Sequence, residues 1–388
     1  MSNYLIIGHD PYSTSTFSRI TKHVIDYLSK DKDNSVYCLS LGESVARHFG
    51  NVLISPVTDF QKQIHEAITY SKPDIVITIC DILDTFHLYY YKIFSHSKNW
   101  RWVGIFDIQT MPPPPMFINV VLEMDYVLTY SSGIYDFLFS HEDINIMYAS
   151  LGVESNLFYQ LPNQEEICKN LFENNKFLIL SPGSNNESNY KIGLIEAFAE
   201  FSKNKDDVYL YFCDRDGNEY SKLEETAWKY PWIVDKVMMK SEHDFKLLEN
   251  HDLNNLYNSV NVTIDVSVNS HFSLSCLEAL ACGGKVVMTW NHLNPSNQYP
   301  LSDRIETIPT IKVVNRVGGN ERYVIIEELV KKINDSYLEY KIGNFKKIHL
   351  DEELSKEFSW DKFDSSLKYI LKKTLNIRVK EPIASLTL

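Results

Sequence analysis

The chain of 388 residues contains no C-x-x-C, and its six cysteines (38, 80, 168, 213, 276 and 282) show no paired spacing. A disulfide framework and a dithiol redox centre are therefore disfavoured, and free buried thiols in a reducing compartment are expected. The twelve histidines form no H-x-x-x-H and no grouping with cysteine at zinc spacing, so no metal site is expected. No G-x-G-x-x-G follows the first strand, where the loop instead reads GHDPYSTSTFS, which leaves a nicotinamide-dependent oxidoreductase little support. Gly42-Glu43-Ser44-Val45-Ala46 lacks the last glycine of a G-x-S-x-G elbow, and no Asp–His pair can be assigned to it, so a serine hydrolase is equally poorly supported. No apolar run approaches the roughly 18–20 residues needed to cross a bilayer, and the first residues run into a strand without a basic region. The chain reads as soluble and cytoplasmic, or as resident in host cytoplasm if viral. Net charge is −13 with no concentrated Lys/Arg tract, which argues against a broad nucleic-acid surface.

What is present is an alternation of strands and helices. Tyr4–Gly8 reads as a strand, and Phe17, Ile20, Val24, Ile25 and Leu28 at helical spacing follow it. Strand-like runs recur at Val36–Leu41, Asp74–Cys80, Trp102–Ile108, Tyr126–Ser131 and Ile144–Ala149. The same alternation restarts with KFLILSPG, LIEAFAEFSK, VYLYFC, KVMMK and LNNLYNSV, and ends in a strand at Ile311–Asn315 and a long amphipathic helix over Tyr323–Tyr340. Such a pattern implies parallel sheets covered on both faces, with ligands beyond the carboxyl ends of the strands. The polar residues that fall there are His9, Asp10 and Ser13 to Thr16, then Cys80–Asp81, then Asp107. With 44% apolar residues the chain can fill two domains. Pro112 to Pro115 are expected to form a stiff rim outside any helix or interior strand. Asp214-Arg215-Asp216 reads as a strand-end turn in preference to a metal-holding D-x-D. The abundant aromatics, including Tyr89 to Tyr91, read as core and rim packing.

The stretch Val262–Trp290 concentrates the chemistry. Val262–Val266 and Lys285–Trp290 are short apolar strands. Between them Ser273 is a plausible N-cap for a helix over Leu274–Ala281, with Leu274, Leu277, Leu280 and Ala281 on one face and Glu278 projecting. Gly283 and Gly284 stop that helix. Its N-terminus would favour phosphate, because unpaired backbone donors and the helix dipole both point at an anion.

LEALACG with an upstream S-x-x-x-H-F-S resembles the nucleotide-sugar motif of GT-B glycosyltransferases, in particular retaining family 4 (group 1). Other matches lie in the Pro-rich segment followed by DYVLTYSSGIYDFL, in Leu151-Gly152-Val153-Glu154 with Phe158, in Leu194–Phe198, and in the closing F-S-W-D. The resemblance implies an α/β, doubly wound fold of two Rossmann-like parallel-sheet domains facing across a cleft. An acceptor-side domain would span 1–160 and a donor domain 161–355, with 356–388 returning to the first. It implies Glu278 as the ribose ligand, backbone amides at Phe272, Ser273 and Leu274 on the diphosphate, and Ser270 and His271 near the donor sugar. Ser184 stands where the family carries arginine, Ser270 where it carries the first glutamate of E-x7-E, and Lys191 sits about two residues later than the family lysine. Lys191, His271 and Asp107 are the candidate catalytic residues. His9, Ser13, Thr14 and Ser15 line the acceptor side.

The expected activity is transfer of a sugar from a nucleotide diphosphate sugar, as co-substrate, to an acceptor hydroxyl, without cofactor or metal and with retention. The acceptor class is open: glycan, small molecule, protein or a modified DNA base, the last as in phage enzymes of this fold. A catalytically silent relative that only binds a nucleotide or glycan is the alternative that the altered Ser184 and Ser270 positions suggest.

Overall fold

The computed structural model describes residues 2–376, apart from 14, 43–44, 96–98, 109–111, 163, 165–175, 183–189, 215–224, 227, 242–249, 269–271, 291–295, 315–319 and 344–347. The chain divides into two compact units, one of Met1–Ser150 together with the segment from Asp361 onward, the other of Leu151–Trp360. Each is Rossmann-like, a parallel sheet flanked by helices, which is the composition of the GT-B fold.

In the first unit eight strands, β1 (Ser2–His9), β2 (Asn34–Leu41), β3 (Arg47–Phe49), β4 (Val52–Pro56), β5 (Ile75–Asp81), β6 (Arg101–Asp107), β7 (Tyr126–Thr129) and β8 (Ile146–Tyr148), lie in the order β3-β4-β2-β1-β5-β6-β7-β8. All pairings are parallel except β3 with β4. β1 and β5 carry unbroken apolar runs, Tyr4 to Ile7 and Ile75 to Ile77, that are buried along their whole length. That pattern belongs to strands covered on both faces. Chain order reverses between β1 and β5, which places a topological switch point at His9 and Asp81.

The short β3–β4 hairpin has no counterpart in the sequence reading, because three residues of Arg-His-Phe carry no period. Pro115 corrects the expectation of a proline rim: it opens a helix, Pro115–Leu122. The first helical position has no intrahelical partner for its N–H, so a proline there sacrifices nothing.

Lys92 is fully buried in this unit. Its ammonium donates to the Glu123 carbonyl at 2.7 Å and stands 3.6 Å from Asp125 Oδ2. The rings of Trp100 and Trp102 lie 5.4 and 5.7 Å from it. Asp125 in turn accepts the Trp102 N–H at 2.7 Å, so the pair pins the start of β6.

The last helix, Asp361–Asn376, buries Phe363, Leu367, Ile370 and Leu371 along one stripe against β6 and β7. Asp364 accepts a hydrogen bond from His23 Nε2 at 2.6 Å, and Phe363 meets the same ring edge-on at 5.9 Å. Burial drags the His23 pKa below its ordinary 6.5, although the Asp364 bond pulls the other way. A histidine depressed in the folded state favours the neutral form, so its contribution is present above 6.5 and is lost as pH falls through the folded value. We expect His23→Gln to flatten the decline in urea-unfolding midpoint between about pH 7.5 and about pH 5.5. An unchanged slope would remove His23 from that account.

In the second unit six strands, β9 (Phe177–Ser181), β10 (Val208–Asp214), β11 (Val237–Ser241), β12 (Val262–Asp265), β13 (Lys285–Thr289) and β14 (Ile305–Ile308), are ordered β11-β10-β9-β12-β13-β14, all parallel. A separate antiparallel pair, β15 (Thr310–Val314) and β16 (Asn320–Val324), precedes the helix Ile326–Lys341. The helix expected from Tyr323 thus begins three residues later, since Tyr323 is paired with Ile311. Gly152 is needed for close approach: a Cβ there would stand 2.5 Å from the backbone at Ser359 and Trp360.

Candidate donor site and its counterpart in the first unit

The order of the second sheet reverses between β9 and β12, so its switch point lies beyond Ser181 and Asp265. β9 ends in Ser181-Pro182, and Lys191, the first residue of the helix Lys191–Phe201, folds back onto that end. Its ammonium donates to Ser181 O, Ser181 Oγ and Pro182 O, each at 2.8 Å. With 2% of its surface exposed, Lys191 is a buried positive charge tied to the strand, not a cation reaching from a loop. All three of these bonds go to protein oxygens at the end of the strand.

Beyond β12, Asp265 accepts from Ser267 N at 2.9 Å and from Ser267 Oγ, while Thr289 Oγ1 donates to Ser267 O at 2.7 Å. This knits the start of the loop to β13. The helix Leu274–Ala281 follows as expected, with the Ser273 hydroxyl accepting from Cys276 N at 3.3 Å. It ends at Cys282 with Gly283 at φ +75°, a conformation that glycine adopts without strain.

Two expectations for this helix are corrected. First, it is buried on more than one face: Cys276, Leu277, Glu278, Ala279 and Leu280 are all inside, because the helix Asn250–Ser259 packs on it in addition to β12 and β13. Glu278 therefore does not project; it is 1% exposed, and its Oε2 accepts a hydrogen bond from Tyr257 Oη at 2.9 Å. Second, the amide of Ser273 is not simply aimed at a ligand. It donates to Tyr299 Oη at 2.8 Å, and the Tyr299 ring stacks on Phe272 at 4.8 Å. Leu274 and Phe272 contribute buried side chains, so any ligand contact from them is through the main chain.

Ser184, Ser270 and His271 lie outside the described residues, as do Thr14 and most of the Asp214–Asp216 turn. Among the described residues no three His, Cys, Asp or Glu side chains are grouped so as to hold a metal ion. Cys38, Cys80, Cys276 and Cys282 are buried free thiols. Burial lifts the Cys38 thiol to about 12 and Cys80 and Cys276 well above the ordinary range, so none of these three is a thiolate nucleophile at neutral pH. No helix among the described residues is long and apolar enough to cross a membrane.

In the first unit His9 closes β1 and packs on Phe17 at 5.3 Å. Ser13 N donates to Asp10 O at 2.9 Å in the turn that follows. Ser15 is the N-cap of the helix Thr16–Ser29, accepting from Ser18 N at 3.1 Å, so its hydroxyl already serves the fold. Asp107 ends β6 directly beside Asp81 of β5, on the carboxyl side of the sheet. Sequence reasoning missed the residue that organises this end. Arg47 of β3 pairs with the buried Asp10 and lies 4.0 Å over the Tyr12 ring, while Tyr12 Oη donates to His48 O at 2.8 Å. Partial desolvation raises Asp84, an exposed residue just after β5, above the usual carboxylate value, with His9 and His87 opposing the shift.

The sequence model of the family described as Glycosyl transferases group 1 matches residues 162–296, which contain the β9–β13 core of the second unit. No curated protein sequence matches the chain. Solved structures are similar across nearly its whole length. Sucrose-phosphate synthase (tll1590) from Thermosynechococcus elongatus superposes with a TM-score of 0.74 at 12% identity, covering 97% of this chain and 100% of that one. A glycosyltransferase from Rickettsia africae gives 0.68 at 17% identity, with 97% and 100% covered. Anabaena Alr3699/HepE in complex with UDP and glucose gives 0.70 at 12% identity, with 96% and 100% covered. At these identities the likeness speaks for the fold.

Proposed function

We propose that the protein is a glycosyltransferase that takes a sugar from a nucleotide diphosphate sugar and passes it to an acceptor hydroxyl. One observation carries the reading: within the stretch resembling the group 1 family, Lys191 is tied to the end of β9, and the helix that Ser273 caps and that carries Glu278 follows β12, the strand across the switch point. The second unit would hold the donor, and the first unit the acceptor. In the reaction an acceptor oxygen bonds to the anomeric carbon and passes its proton to a phosphate oxygen of the departing diphosphate. The bond from that carbon to the diphosphate breaks, and its electron pair leaves on the terminal phosphate oxygen. The developing negative charge is what this site is built to meet. Lys191 acts through space from beneath the strand end, and the N-terminus of the Leu274–Ala281 helix faces the same growing charge. Glu278 would accept the ribose hydroxyls, which, given its burial, requires the side chains around it to part as the nucleotide enters. Ser270, His271 and Ser184 complete the donor side in this proposal, and Asp107, His9 and Ser13 the acceptor side. Retention at the anomeric carbon and independence from a metal belong to the same proposal.

A thermal-shift panel of UDP, GDP, ADP and TDP tests it. At about 100 times Kd a bound nucleotide adds about 2.7 kcal/mol, which shifts Tm by several degrees. The matching nucleotide sugar should then be slowly hydrolysed, or transferred once an acceptor is found. No shift with any of the four would sink the proposal. Binding with no hydrolysis or transfer would favour the silent reading, for which the serines at positions 184 and 270 are the motive.

A further inference from the structure

We infer that Tyr257 is a positioning residue for the nucleotide ribose, setting the angle at which Glu278 receives it. The inference rests on the reading of Glu278 as ribose ligand. A carboxylate only accepts, so in the 2.9 Å contact the phenol is the donor and Glu278 Oε2 the acceptor. That bond engages one oxygen and thereby narrows the rotation open to the carboxyl group. A side chain on a helix with free χ angles would sample several orientations, and two ribose hydroxyls are met together in only one of them.

Tyr257 is itself held from outside its own helix. Phe158 packs edge-on against its ring at 5.9 Å. The residues that follow Phe158 are clamped to the Tyr257 helix, Asn250–Ser259, by two buried asparagines. Asn254 Oδ1 accepts from Tyr159 N at 3.2 Å, and Asn258 Oδ1 accepts from Leu161 N at 2.9 Å. Asn258 Nδ2 returns a bond to Tyr159 O at 3.0 Å. The segment from Phe158 to Leu161 thus buttresses Tyr257, and Tyr257 orients Glu278. The ring contact holds Tyr257 in place, and its hydroxyl is the donor that Glu278 receives.

Tyr257→Phe keeps the ring and removes only that donor. The probe is whichever of ADP, UDP or GDP binds most tightly, compared with its 2′,3′-dideoxy counterpart by calorimetry. We expect the wild-type protein to prefer the ribonucleotide, and Tyr257→Phe to weaken the ribonucleotide by about tenfold while leaving the dideoxy form within about twofold. In the double variant with Glu278→Gln the two losses should not add, since both act through one contact. A ribo-to-dideoxy ratio unchanged in Tyr257→Phe overturns the inference and leaves sugar transfer standing, as do losses that add. A wild-type protein that binds the nucleotide without any ribose preference overturns the role of Glu278 and this inference with it. Absence of nucleotide binding overturns the proposed function as well. Circular dichroism and Tm of Tyr257→Phe separate these results from a loss of fold.

Discussion

Glu278→Gln should lower the affinity for the matching nucleoside diphosphate by about 10- to 100-fold, with a similar or larger fall in kcat/KM for its nucleotide sugar. The range corresponds to about 1.5–3 kcal/mol for hydrogen bonds made to an ionised group in a desolvated site. Glutamine keeps the shape of the side chain and an oxygen for Tyr257 Oη to reach, so stability should change far less than binding. The distinction matters because Glu278 is buried, and a buried carboxylate paired with a phenol could serve packing alone. If Glu278→Gln binds every nucleotide as the wild-type protein does, the ribose role is wrong, whatever happens to Tm. The informative readout is therefore a dissociation constant measured beside an unfolding curve.

The second large effect concerns stability. Lys92→Met should cost about 3–5 kcal/mol in urea unfolding, a sizeable share of the roughly 5–15 kcal/mol that holds a domain folded. The penalty comes from what is left behind. Asp125 has none of its surface exposed and would be left buried without the neighbouring ammonium. Adding Asp125→Asn should recover part of the loss, because the amide oxygen can still accept the Trp102 N–H while the uncompensated charge is gone. A single variant that loses less than about 1 kcal/mol would show that water or other groups compensate Asp125 as well as Lys92 does. The pair lies at the amino-terminal edge of β6, away from the carboxyl ends where the candidate site residues stand. Donor affinity should stay near wild type under conditions where the variant is folded.

The two site expectations that change most, Lys191 as a catalytic cation and Glu278 as a projecting ribose ligand, change for one reason. Both are charged residues whose environment is supplied by distant segments. Lys191 stands at a helix start, where a reader of the sequence expects a cation facing outward, yet it turns back onto Ser181 and Pro182. Glu278 has the right place in a family-like motif, but a helix some twenty residues earlier provides the phenol it bonds to. Tyr299, which takes the Ser273 amide, comes from a loop beyond β13 and leaves no signature in the motif at all.

From the sequence alone came the alternation of elements, the parallel double winding, the Ser273 cap, the glycine stop and the location of the candidate donor helix. These depend on neighbours within one or two turns: apolar period, capping hydroxyls and positive φ are local properties, and local sequence suffices to read them. Tertiary structure alone decided that Pro115 begins a helix, that Arg47 holds Asp10, that Lys191 spends its donors on a strand end, and that Tyr257 takes hold of Glu278. A hydrogen bond or ion pair is settled by which groups meet when water is excluded, and the partners of these groups are separated by up to 37 residues of chain. Spacing within a motif carries no record of such meetings.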